Sequence, residues 1–344
     1  MRRIVSTVFG SQQFGLIVVI LVLGFILSIL AGNHTNGMTG VTSNNFLNSG
    51  TIGLVILYAC AFAIMAVGVT MVIITTGIDL SVGSTYALSG VLTALFLKAH
   101  HLNGTQALLI GAALCCTIGL VCGLLNGVLI TTLGVHPFII TLGTMWVFRG
   151  IAFVVSQGNS ILLPTGVVTS IKNTFGIWDD VFPVPIMVMV SIAVLGWLVL
   201  TKTVVGRRIF AVGGNLEASR YSGVRINTIL ILVYGISGLC AGIAAYLMAG
   251  YFGSTQSADG QGYELYVIAS AVVGGASLAG GKGSAISAML GALLISLIQQ
   301  AIRTLKIQQE YEMIIIGCAI VIAVVLDRVS ARLGAKRIAQ LRIQ

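Results

Sequence analysis

Apolar runs long enough to cross a bilayer recur along almost the whole of this 344-residue chain, and that recurrence constrains the fold more than any motif does. A helix needs roughly 20 apolar residues to span a hydrocarbon layer about 30 Å thick. Such runs lie near 14–30, 53–75, 84–97, 105–130, 138–155, 184–200, 227–250, 264–280, 284–301 and 313–327. The sequence therefore predicts an all-α membrane protein with about ten transmembrane helices, the third, eighth and tenth of them short or interrupted by glycine. Charged residues are only 8% of the chain, against about 25% in a soluble domain, so lipid is its solvent. The 43 glycines beside four prolines fit closely packed membrane helices, where small residues let backbones approach.

An even number of crossings places both termini on one side, and the positive-inside rule agrees. With the N-terminus inside, the inner segments hold Arg2, Arg3, Lys202, Arg207, Arg208, Arg220, Arg225, Lys282, Arg328, Arg332, Lys336, Arg337 and Arg342. The outer segments hold Lys98, Lys172, Arg303 and Lys306, and Arg149 falls within a span. The formal charge of +9 thus reports orientation and a phospholipid surface rather than nucleic acid. The basic start followed by Phe14–Leu30 has the outline of a signal peptide, but the chain beyond it is equally apolar, so an uncleaved first span is expected. The segments 31–52 and 156–183, the latter with Trp178-Asp179-Asp180, fall outside; the longest inner segment is 201–226. Residues 1–344 read as one transmembrane domain.

Two common kinds of chemistry fit poorly. The stretch VGGASLAGGKGS (273–284) evokes a phosphate-binding loop, which needs G-x-x-x-x-G-K-[ST]. Here Ala276 stands at the leading glycine and Gly283 at the hydroxyl. Cys60, Cys115, Cys116, Cys122, Cys240 and Cys318 all lie in apolar runs without C-x-x-C spacing, so they read as small core residues with no metal role. His34, His100, His101 and His136 sit at or near loops and read as structural.

The inner loop TKTVVGRRIFAVGGNLEASRYSGVR carries helix signals: Asn215 as N-cap, Glu217 in the first turn, Arg220 late, and Gly223 closing the helix in the left-handed conformation. A helix of about two turns is unstable alone, so it needs a surface, as helices docked in a partner's groove do. Asp79, in TTGIDLSVGS, is either a cap for a helix starting near Ser81 or an intramembrane ion site. Arg149 within a span must pair, snorkel or face a cavity. Asn126, Thr141 and Thr144 bond between helices or line a path for solute. Asp79, Asn126, Thr141, Thr144 and Arg149 are the candidate translocation residues. Asp259, Tyr263 and Glu264, in SADGQGYEL, mark an outer entrance where a partner could dock.

Taken together, TTGIDLSVGS, HPFIITLGTMWVFRG, VGRRIFAVGGNLEASRYSGV and GYELYVIASAVVGGASLAGGKGS, in this order, resemble the permease subunits of bacterial ABC importers for monosaccharides, ribose permeases among them. The resemblance runs from about residue 50 to 330. It implies a type II importer permease fold in the bacterial inner membrane, a cytoplasmic ABC ATPase, a periplasmic or surface sugar-binding protein, and a second permease chain. ATP and Mg would be used by the partner ATPase, with no cofactor on this chain. The pattern G-R-x-I-x-A-x-G-G-N-x-x-A implies ATPase coupling by Gly206, Arg207, Gly213, Gly214, Asn215, Glu217, Ala218 and Gly223. Thr76-Gly77 stands where paired glycines are usual, and Ser219 replaces a second alanine. One docking loop per chain, against two docking surfaces on an ATP-sandwich motor, implies a homodimer, with a heterodimer second. The alternatives are a branched-chain amino acid permease of the same architecture and an ion-coupled sugar transporter, which would need more intramembrane ionisable residues than this chain has.

Overall fold

The computed structural model describes residues 12–35, 42–173, 183–308, 310–318, 321, 322 and 325. The side chain of Lys172 and the residues Arg2, Arg3, Trp178, Asp179, Asp180, Arg328, Arg332, Lys336, Arg337 and Arg342, on which part of the orientation argument rests, lie outside the described residues.

Helix α1 (Gln12–Leu30) is followed by a hairpin of β1 (Asn33–Thr35) and β2 (Thr42–Asn44). Then come α2 (Ser49–Ile74), α3 (Val82–Ala99), α4 (Gly104–Leu133) and α5 (Pro137–Ser156). Strand β3 (Ile161–Leu162), α6 (Thr165–Asn173), α7 (Pro183–Lys202), α8 (Val204–Gly214) and α9 (Leu216–Tyr221) lead to α10 (Ile226–Phe252). Strand β4 (Ser254–Thr255), α11 (Tyr263–Val273) and α12 (Ala285–Thr304) follow, and 310–318 is again helical. Eight of the described helices, namely α1 to α5, α7, α10 and α12, are long and apolar enough to cross a membrane. The eighth expected span stops early: α11 has 11 residues, about 16 Å at 1.5 Å per residue, because Gly274 and Gly275 end it.

Burial sorts the helices into layers. Helix α2 is enclosed on all sides from Ala59 to Ile74, with Phe62, Ile64, Met65 and Ile73 in the core. By contrast α1 exposes Leu21, Phe25 and Ile29 and buries little beyond Leu16 and Leu27, as suits a helix whose outer face meets lipid. Capping follows the sequence: Asn48 accepts from Thr51 N at 2.8 Å, and Pro137 opens α5 beside His136. Gly134 and Gly253 close α4 and α10 with φ of 64° and 74°.

The most extensive contact joins α4 to α10. Gly119 and Gly123 on one face Gly235, Gly238 and Gly242 on the other, and Gly127 lies against Ile231. A Cβ at Gly123 would run into Tyr234 O, and one at Gly238 into Gly119 O. Dispersion between bare backbones holds this seam, since lipid offers helices no hydrophobic drive to associate. We predict that Gly123→Ala, by overpacking, costs ~1–3 kcal/mol and lowers the thermal midpoint in detergent. Gly143→Ala, where nothing lies within 4 Å of the added carbon, should leave the midpoint unchanged or raised. Equal losses in a thermal-shift assay would sink the seam as the critical contact.

Candidate functional site

Three adjoining places gather the chain's polar chemistry. The first is the basic end, where α8 and α9 meet at Asn215. Thr203 caps α8 by accepting from Gly206 N at 3.1 Å, and Asn215 caps α9 by accepting from Ala218 N at 2.9 Å. Glu217 lies in the first turn of α9 and Arg220 in its last, and Gly223 follows with φ of 76°. The expected short helix is therefore present with its expected cap, though only six residues long. Its outward side carries Leu216 and Tyr221, the latter 87% exposed. The preceding α8 was not foreseen. Its signal was Thr203, three residues before Gly206, with Ile209 and Val212 on the buried side. Of the coupling residues, Gly206 lies against Val199 O and Leu200 O and Gly213 against Ile74 O, while nothing lies within 4 Å of a Cβ at Gly214. Arg207 is exposed.

Beneath α8 lies the glycine-rich turn. Gly280 and Gly281 have φ of 84° and 71°; Gly280 N donates to Ser277 O at 2.8 Å and Gly281 N to Ile74 O at 2.9 Å. These amides are bonded within the protein, as in a structural turn.

The second place is the break 75–81 between α2 and α3. Both oxygens of Asp79 accept hydrogen bonds: Oδ1 from Ser81 N (3.0 Å) and Ser81 Oγ (2.7 Å), Oδ2 from Ser237 Oγ (2.7 Å). Asn126 Nδ2 donates to Ser81 Oγ at 2.7 Å, and Ile78 O accepts from Thr141 Oγ1 (3.1 Å) and Tyr234 Oη (3.3 Å). Three candidate translocation residues, Asp79, Asn126 and Thr141, thus meet on one segment, each almost fully buried. In this conformation they are buried and bonded to neighbouring segments inside the chain. Thr144 is buried too and donates to Thr141 O. Asp79 bonds Ser81, the N-cap residue of α3, rather than an amide in the first turn of that helix. Tyr234 and Ser237 were missed, because one hydroxyl in an apolar helix has no distinguishing spacing.

The third place is 253–262, an irregular segment packed against α3 and α5. Thr255 packs on Gly90 and Gly260 on Gly83, near the start of α3. Half-buried Arg149, near the middle of α5, donates from Nη1 to Ser257 O (2.7 Å) and to Asp259 O. Asp259 Oδ2 accepts from Gln256 N at 2.9 Å and Thr255 Oγ1 at 3.2 Å. The Glu264 carboxylate lies beside Gly83, and Tyr263 packs on Phe62 with ring centroids 5.0 Å apart. Asp259, Tyr263 and Glu264 are all half-buried. Their side chains brace this segment, and its exposed positions are Gln256, Ala258 and Gln261. A buried carboxylate that sequence reasoning did not single out, Glu312, accepts from Tyr266 Oη and Gln299 Nε2, each at 2.8 Å.

These features define a polytopic membrane protein with broken helices at its centre and a capped helix pair at one end, an arrangement suited to moving a solute and receiving a partner. The family described as branched-chain amino acid transport system / permease component matches residues 51–324, and the chain belongs to it. It is a transport permease rather than a catalyst. The ribose import permease of Escherichia coli K12 is 36% identical over 327 residues, covering 95% of this chain and 96% of the relative. The D-allose transport system permease of the same organism is 36% identical over 287 residues, covering 83% and 86%. The fructose import permease of Rhizobium meliloti is 30% identical over 293 residues, covering 84% and 80%. No solved structure matches the chain.

Since Arg149 ties the segment 253–262 to α5 through its backbone, Arg149→Met should free that segment. Losing charge-assisted bonds should speed amide hydrogen exchange across 254–262 by roughly ten-fold or more, with α12 unaffected. Unchanged exchange in a mass-spectrometric time course would remove Arg149 from this role.

Proposed function

We propose that the chain is the membrane-spanning permease subunit of an ATP-driven monosaccharide importer in the bacterial inner membrane. The observation that carries this reading is similarity to a ribose import permease over nearly the full length of both chains, joined by allose and fructose relatives. The permease forms the path and leaves ATP and Mg to a cytoplasmic ABC ATPase, while a periplasmic or surface-anchored protein delivers the sugar.

On this reading α8 and α9 are the coupling element. The caps at Thr203 and Asn215 hold a helix pair too short to persist alone, and α9 presents Leu216, Glu217 and Tyr221 to the ATPase. Gly206 and Gly213 let α8 lie directly on α7 and on the end of α2; Arg207, Gly214, Ala218 and Gly223 complete the pair. Arg149 and Thr144 border the path, and Asp79, Asn126 and Thr141 hold the helices around it. The 253–262 segment with Asp259, Tyr263 and Glu264 shapes the surface that meets the binding protein. One coupling pair per chain calls for a second permease chain, most simply another copy, with both termini on the cytoplasmic side.

The test is purification of the tagged chain from its own cells in mild detergent, with mass spectrometry of co-purifying proteins and an ATPase assay. A co-purifying ABC ATPase and vanadate-sensitive hydrolysis are expected; a chain that emerges alone and moves sugar down an ion gradient in vesicles would overturn the reading. In the assembled complex, Glu217→Ala and Tyr221→Ala should lower uptake and stimulated hydrolysis together, by roughly ten-fold each if they anchor the docked helix. Because the family description names branched-chain amino acids, the binding protein should be screened with leucine as well as ribose, allose and fructose. Stabilisation by leucine alone would assign the transporter to that class.

A further inference from the structure

We propose that the break 75–81 is the transmission element between the coupling helices and the transmembrane helices, with Asp79 the residue that positions α10. This rests on the coupling reading of α8 and α9.

One side of the break is in hard contact with the basic end. Ile74 O, at its root, accepts from Gly281 N and lies where a Cβ at Gly213 would stand. Gly280 packs against the Thr76 side chain and Gly213 O. Thr76 itself holds a φ of 64°, a backbone setting that few residues other than glycine adopt. Backbone touching backbone has no flexible side chain to absorb a displacement, and packed interiors transmit strain rather than dissipate it. A shift of α8 must therefore move the break.

The other side reaches three helices through directed bonds. Asn126 of α4 holds Ser81, Thr141 of α5 holds Ile78 O, and Tyr234 and Ser237 of α10 hold Ile78 O and the Asp79 carboxylate. Gly77 sits so close to Tyr234 that a Cβ there would lie 2.6 Å from its hydroxyl. Each bond ends on a backbone carbonyl, a carboxylate or a hydroxyl of the break, so the segment can carry all three helices when it moves. One acceptor in the cluster, Asn126 Oδ1, is buried without a partner. A displaced break thus has a hydrogen bond to gain as well as bonds to lose, which a segment with two arrangements requires.

The experiment uses the permease co-purified with its ATPase, reconstituted in liposomes with the binding protein, with D-ribose, D-allose and D-fructose as probes and the transported one retained. Ser237→Ala removes only the donor to Asp79 Oδ2, and Tyr234→Phe only a donor to Ile78 O; neither residue lies on α8 or α9. If the break transmits, both variants keep the ATPase bound and hydrolysis near the parent rate, while sugar moved per ATP falls roughly five-fold or more. Ser237→Thr, which restores the hydroxyl, restores the ratio. Uptake and hydrolysis falling in proportion, or an unchanged ratio, overturns the proposal. Failure of both variants to assemble gives the break a folding role and overturns it as well. Absence of an ATPase from the unmodified preparation is a different failure, that of the coupling reading, and is visible before any variant is compared.

Discussion

The contact between α4 and α10, backbone on backbone through glycines, sets where most other elements stand. Two helices of this length, laid together along facing glycines, have little freedom to slide or rotate, because each bare turn accepts the other's carbonyl. Tyr246 extends the lock by donating to Leu108 O at 2.7 Å, and Gly111 leaves room for its ring. Ser237 and Asn126 lie on this pair, so the seam also fixes two of the groups that grip the break. The network around Asp79 is built on a rigid base.

Departures from regular helix within an apolar environment are tolerable only where the freed backbone groups find partners inside the protein. Both irregular segments meet that condition, and by different means. The break 75–81 folds Thr75, Thr76 and Gly77 amides back onto Val72 and Ile73 carbonyls and receives side-chain donors at Ile78 O and Asp79. The segment 253–262 relies on Arg149, whose guanidinium satisfies two carbonyls at once, and on Asp259, whose carboxylate gathers a backbone amide and a hydroxyl. An arginine near the centre of a span looks costly in sequence; here its bonds to carbonyls explain its place. The cationic side chain is held by backbone dipoles, and that leaves Glu264 beside the start of α3, where the positive end of a helix dipole suits a carboxylate.

Much of this was legible because lipid narrows the choices. Eight of the ten expected spans coincide with helices long enough to cross, the eighth is cut short, and the tenth lies partly outside the described residues; the eight were legible because only intrahelical bonding satisfies a backbone in hydrocarbon. Helix α9 was legible from Asn215, Glu217 and Gly223, whose helix-start and helix-end roles are local and need no partner to be known. Helix α8 was not singled out, because its stability comes from packing of Ile209 and Val212 on residues distant in sequence. The position of Tyr263 and Glu264 was also hidden. Their sequence neighbourhood is polar and reads as an entrance, and only the packing of 253–262 against α3 and α5 half-buries them. For Asp79, Asn126 and Thr141 the residue types announced a polar centre, but the bonds that hold them, to Ser237, Ser81 and Ile78 O, span separations of 158, 45 and 63 positions. No local pattern encodes such pairing.

The same contrast separates what can move from what cannot. A ligand shifts a protein between states only by binding them unequally, so the chain must own two arrangements of similar energy with a boundary between fixed and movable parts. The glycine seam is a poor boundary, since any relative motion of α4 and α10 either opens a void or drives carbonyls into Cα atoms, and interiors are bistable rather than continuously deformable. Hydrogen bonds from side chains to a short irregular segment are a better one, because they can exchange partners at small change in energy when a neighbouring acceptor stands open. The seam, the braced outer segment and the bonded break therefore divide the molecule: α4 and α10 move as a block, and the break is the joint at which that block is pushed.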